Sequence, residues 1–120
     1  MSIGYCLINK TKKEKITYFH LTADTAKELT GNPVTSAITS WYLIKNSGDE
    51  IGFVPDQYYE EHWPYKDVSW EDIIYYRDLT DDIINELIDL KILIQVGVNL
   101  FNKDEPDVYV RRLKNIWLEQ

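Results

Sequence analysis

The sequence predicts a single α+β domain over residues 1–120, with a mainly antiparallel sheet and three helices. Three observations carry that expectation. β-prone runs at 3–8 and 16–20 flank a polar loop, and runs at 92–101 and 108–113 do the same, so each pair reads as a hairpin. Three stretches between and beside them have helical spacing or capping residues. Strands and helices do not alternate regularly, which argues against a doubly wound parallel sheet.

In the first hairpin the run from Ile3 to Ile8 meets Ile16-Thr17-Tyr18-Phe19-His20, and Lys10, Lys12, Lys13 and Lys15 crowd the tip as a solvated turn. Thr22 is placed to cap a helix over 23–30, which Gly31 would end in a left-handed conformation. Asn32 caps a second helix with Pro33 at its first position, where a proline loses no hydrogen bond. Val34, Ala37, Ile38, Trp41 and Tyr42 give that helix one buried face, and Asn46-Ser47-Gly48 ends it.

A strand is expected at 50–54, stopped by Pro55 and Asp56. Residues 57–69 have no clear period, contain Pro64, and read as a long ordered loop of the kind that often carries function. Residues 75–79 fit either a strand or the continuation of a helix begun at Ser69. Thr80 is a good cap, Asp81 and Asp82 suit the first turn, and Ile83, Ile84, Leu87 and Leu90 define an amphipathic helix. The second hairpin follows, broken at 102–107, and the tail is expected to anchor through Ile116, Trp117 and Leu118.

With 120 residues and 44% apolar content, the chain is long enough to bury about two-thirds of its unfolded surface. The single Cys6 cannot form an internal disulfide, which fits a reducing, cytoplasmic setting. Residues 1–8 lack a signal peptide's basic start, and no apolar stretch approaches the roughly 18 residues of a membrane span. The chain is therefore expected to be soluble and unprocessed.

Charge is the least even feature. The net charge is −7, yet residues 1–48 carry six lysines against three acids. Residues 49–82 hold eleven acids, two bases and eight of the chain's aromatics. Nucleic acid and anionic membranes are disfavoured partners for such a chain, because both demand cations. A cationic protein is the favoured one. Asp56, Glu60, Glu61, Asp67, Glu71 and Asp72 are the electrostatic candidates, with Tyr58, Tyr59, Trp63 and Tyr65 as anchors. Carboxylates steer encounter, and Tyr and Trp make rigid hot spots. The other reading stays open: the rings are core, and the acids occupy the wet side.

No reaction is indicated. His20 and His62 stand at no metal-ligand spacing, although acids near His62 would make binding through that loop pH-sensitive. Cys6 has no local base, and the five glycines form no phosphate cradle. The pairs Glu60-Glu61 and Asp81-Asp82 are adjacent rather than convergent, so neither reads as an acid/base pair. The helix and hairpin after Thr80 have the order of a winged helix, but the helix begins with acids where phosphates would lie. No enzyme activity, cofactor or metal is expected.

Four segments, residues 4–14, 31–38, 41–43 and 48–54, give the chain an overall resemblance to the immunity proteins of bacterial contact-dependent inhibition and related polymorphic toxin systems. The resemblance implies a one-to-one inhibitor of a cognate toxin domain, often a basic nuclease, that blocks the active site or a neighbouring surface. Carboxylates would then occupy sites meant for nucleic-acid phosphates. A regulatory or scaffold subunit, or a nucleic-acid mimic, is the alternative.

Overall fold

The computed structural model describes residues 3–57, 62–100 and 103–117. In chain order these form β1 (Tyr5–Asn9), β2 (Glu14–Ile16), α1 (Ala26–Gly31), α2 (Pro33–Lys45), β3 (Ile51–Pro55), α3 (Trp70–Ile74), β4 (Arg77–Asp78), α4 (Thr80–Asp89), β5 (Leu93–Leu100) and β6 (Tyr109–Asn115). One sheet has the order β3-β1-β2-β4, and β5 and β6 form a separate antiparallel pair. Among the described residues only β2–β4 runs parallel. The α+β class and the mainly antiparallel sheets match the expectation, with four helices among the described residues rather than three.

The apolar run at the start of the chain becomes β1 at the sheet's centre, bonded to β2 on one side and β3 on the other. Successive side chains alternate faces. Leu7 enters the main core with Ile16, Tyr18, Ile38, Tyr42, Ile83, Ile84, Leu87 and Leu93. Cys6 and Ile8 face the other way, into a second cluster with Val54 and Ile73. A strand covered on both faces reads as a continuous apolar run rather than an alternating one. Asn9 ends β1 fully buried, with its amide donating to the Tyr42 hydroxyl (3.1 Å) and to Asp49 (2.9 Å).

Several boundaries differ from expectation, each for a local reason. α1 is capped by Thr25 rather than Thr22, because Thr25 and Glu28 make a reciprocal capping box. Gly31 closes α1 without turning left-handed, since Asn32 caps that helix in extended backbone while starting α2. Gly48, at φ +95°, takes the left-handed turn after α2. The strand expected through His20 stops at Ile16. Tyr18 adopts φ 59° and buries its ring, and the Thr80 hydroxyl accepts from the backbone N–H of both Thr17 and Tyr18.

Thr80 is therefore buried in the first turn of α4 rather than acting as its cap; Asp78 accepts from its N–H and hydroxyl instead. Both alternatives for 75–79 are realised in part: a capping box between Ser69 and Asp72 starts α3, and the two-residue β4 follows. Trp117 is not anchored; it is 65% exposed, and Leu118 lies outside the described residues. No helix among the described residues is long and apolar enough to cross a membrane.

Candidate functional site

The acidic, aromatic segment covers the second face of the sheet. Trp63 donates its indole N–H to the Val68 carbonyl (2.8 Å), closing the loop on itself. Trp63, Tyr65, Val68 and Tyr76 pack over Cys6, Ile8, Val54 and Ile73. The Tyr65 hydroxyl lies against Gly52 so closely that any Cβ there would collide with it, which is the reason β3 carries glycine at that position. The Lys10 ammonium sits 4.6 Å from the centre of the Tyr65 ring, a cation–π contact. These described rings are a lid on the sheet more than an outward platform.

The carboxylates are mostly engaged inside the protein. Lys10 bridges Glu50 (2.7 Å) and Asp67 (2.8 Å), and those hydrogen bonds raise the lysine pKa while holding Asp67 below the usual carboxylate range. Asp49 is held low by Asn9 and then by Lys12, which lies 3.2 Å away. Asp72 caps α3 through the Ser69 N–H (2.9 Å), which lowers its pKa. Asp78 accepts from Thr80 and from the Thr17 hydroxyl. Asp81 holds both the buried His20 (3.0 Å) and Arg111 (3.0 Å). Lys10, Lys12 and Lys15 are thus partners of the acidic segment, the Lys15 ammonium donating to the carbonyls of Ile73 and Ile74 at the end of α3, whereas Lys13 is exposed at the tip as expected.

Asp56 lies apart from this group, hydrogen-bonded to Asp24 beside Gly4. Burial raises the Asp24 pKa, and repulsion from Asp56 adds to it. Cys6, at the centre of the second cluster, has its thiol pushed up to about 12 by burial, which removes it as a nucleophile near neutrality.

Between the first hairpin and α3 lies a cleft of about 450 Å³, lined by Lys10, Lys13, Asp67, Val68, Asp72, Tyr75 and Tyr76. Tyr75 follows α3 and is 88% exposed. Glu71, in the first turn of the same helix, is exposed and makes no ion pair or hydrogen bond among the described residues. A second concavity of about 430 Å³ is apolar, lined in part by Trp41, Leu90, Ile92 and Trp117, and it holds none of the expected site residues.

Of the expected residues, Asp67 and Asp72 meet at the cleft, with Glu71 on the same helix as Asp72. Trp63 and Tyr65 are committed to the lid, and Asp56 lies elsewhere. Tyr58, Tyr59, Glu60 and Glu61 lie outside the described residues. Tyr75 and Lys13 were not expected at the site. The signal that finds Tyr75 is the Ser69-x-x-Asp72 box, which starts α3 and leaves Tyr75 at its end. Comparison with family models, curated proteins and solved structures finds no match to this chain.

Proposed function

We propose that the protein is a bacterial, cytoplasmic immunity-type inhibitor that binds a cognate basic toxin domain through the α3 side of its acidic segment. A projecting Arg or Lys of the toxin meets the unengaged Glu71 beside the cleft, and Tyr75 stacks on it. Glu71 adds long-range attraction. In a nuclease those cations hold phosphate, so covering them stops the reaction without any chemistry by the inhibitor. The net charge of −7 keeps nucleic acid itself away.

The observation that carries this reading is Tyr75. A large aromatic left 88% exposed, beside a capping carboxylate and an unengaged Glu71, is well suited to a partner. Trp63 and Tyr65 now support the surface rather than form it.

The test is a search beside this chain's gene for a large exported protein with a basic C-terminal domain, followed by co-expression with that domain. Cells carrying the wild-type chain should survive. Tyr75→Ala should weaken binding by about ten- to a hundredfold while leaving the unfolding midpoint in place, because the side chain is 88% exposed. Full protection and unchanged affinity from Tyr75→Ala would remove α3 from the interface.

A further inference from the structure

β5 runs from Leu93 to Leu100 without a single charged residue or proline, and β6 is its one strand neighbour among the described residues. Natural edge strands are usually blunted by lysine, proline or short length, because an open row of N–H and C=O groups templates pairing. β5 has only a bulge between Gln95 and Gly97. Beyond that bulge, Val98 lies opposite Arg111 and Leu100 opposite Tyr109.

The direction of the open groups follows from β6. The Arg111 N–H points away from β5 and donates to the His20 carbonyl (2.8 Å). Val98–Arg111 is therefore a non-hydrogen-bonded pair, and by alternation Leu100–Tyr109 is another. The backbone groups of Val98 and Leu100 face the outer edge of β5, and no backbone bond reaches them there among the described residues. Their side chains share one face and are 45% and 54% exposed.

We propose that this edge pairs antiparallel with β5 of a second copy, about a two-fold axis at Asn99. Val98 of each chain lies opposite Leu100 of the other, which makes four backbone hydrogen bonds and one aliphatic cluster. The contact is self-complementary, as a two-fold interface must be. Two uncharged strands meet without like-charge repulsion. Behind each stands β6, which carries no acid, so the paired strands bring no carboxylates together. This edge lies on elements other than α3 and its cleft, so the pairing does not rest on the immunity reading. The paired stretch is short, and the dimer is of the kind that separates on dilution.

Sedimentation of the full chain from about 5 to about 500 μM tests this. The expected mass rises from 14.2 kDa toward twice that value, and exchange at the Val98 and Leu100 amides slows as concentration rises. Val98→Lys and Leu100→Lys each place two lysines across the axis and should weaken self-association by about tenfold or more. Ile94→Lys, before the bulge and on the other face, should leave it intact. A constant 14.2 kDa with concentration-independent exchange would overturn the proposal, as would undiminished dimerisation of both lysine variants.

Discussion

β1 and β5 look alike in sequence and end differently. Both are uncharged and rich in aliphatic residues, yet four of the five residues of β1 are buried whereas only Leu93 is buried in β5. β1 lies between two layers, helices on one face and the aromatic lid on the other, with a strand at each edge. Among the described residues β5 has one strand neighbour, one bulge and no strand on its other side. An apolar run therefore records that something must cover it; it does not say whether the cover comes from the same chain.

The widest gap between the two strands should appear on truncation. Ile8→Ala opens a cavity under the lid and should cost about 2–5 kcal/mol in urea unfolding. Ile94→Ala, on an exposed position of β5, should stay within about 0.5 kcal/mol. Similar costs at both sites would mean that β5 is covered in the free chain.

The lid itself can be lifted from the sheet. Gly52→Ala drives a methyl group into the Tyr65 hydroxyl and should cost about 1–3 kcal/mol. Tryptophan emission should shift to the red as Trp63 loses its packing, while amide exchange in β5 and β6 stays as in the wild type. A neutral Gly52→Ala would show that Tyr65 is not held against β3.

The smallest effect concerns pH. The folded state holds the Asp24 proton more tightly than the unfolded chain does, through burial first and Asp56 second. That contribution is present at acid pH and is lost as pH rises through the raised Asp24 value. Asp24→Asn keeps a polar group beside Asp56 without the charge, so its stability advantage over the wild type should grow from acid pH toward neutrality. Parallel pH curves for the two proteins would contradict the raised Asp24 value. Asp49, Asp67 and Asp72 act in the opposite sense: their pKa values are lowered, so their support is present above the ordinary carboxylate range and is lost on acidification.

Much of the fold was legible where the cause is local. Asn32-Pro33 starts α2, Gly48 turns the chain after it, Asp81 and Asp82 open α4, and the polar break at 102–107 separates β5 from β6. What was not legible depends on contacts distant in sequence. Thr80 looked like a cap, but its hydroxyl is needed by Thr17 and Tyr18 on another element. The site suffered more from this than the fold. Counting acids over 49–82 suggested one free negative face, whereas Lys10, Lys12 and Lys15 reach across from the basic first third and bind much of that segment. Charge totals by segment cannot reveal such pairing. Tyr75 and Glu71 stand out only once the engaged residues are set aside.

The immunity reading rests on electrostatic capture by what remains unengaged around α3. Its most direct measurement is the association rate of the purified toxin domain with the wild-type chain and with Glu71→Lys, across a salt series. Steered association should be fast at low salt, slow steeply as salt rises, and fall by about tenfold in Glu71→Lys at low salt, with the two rates converging at high salt. Equal rates for the two proteins, flat across the series, would contradict capture through this surface.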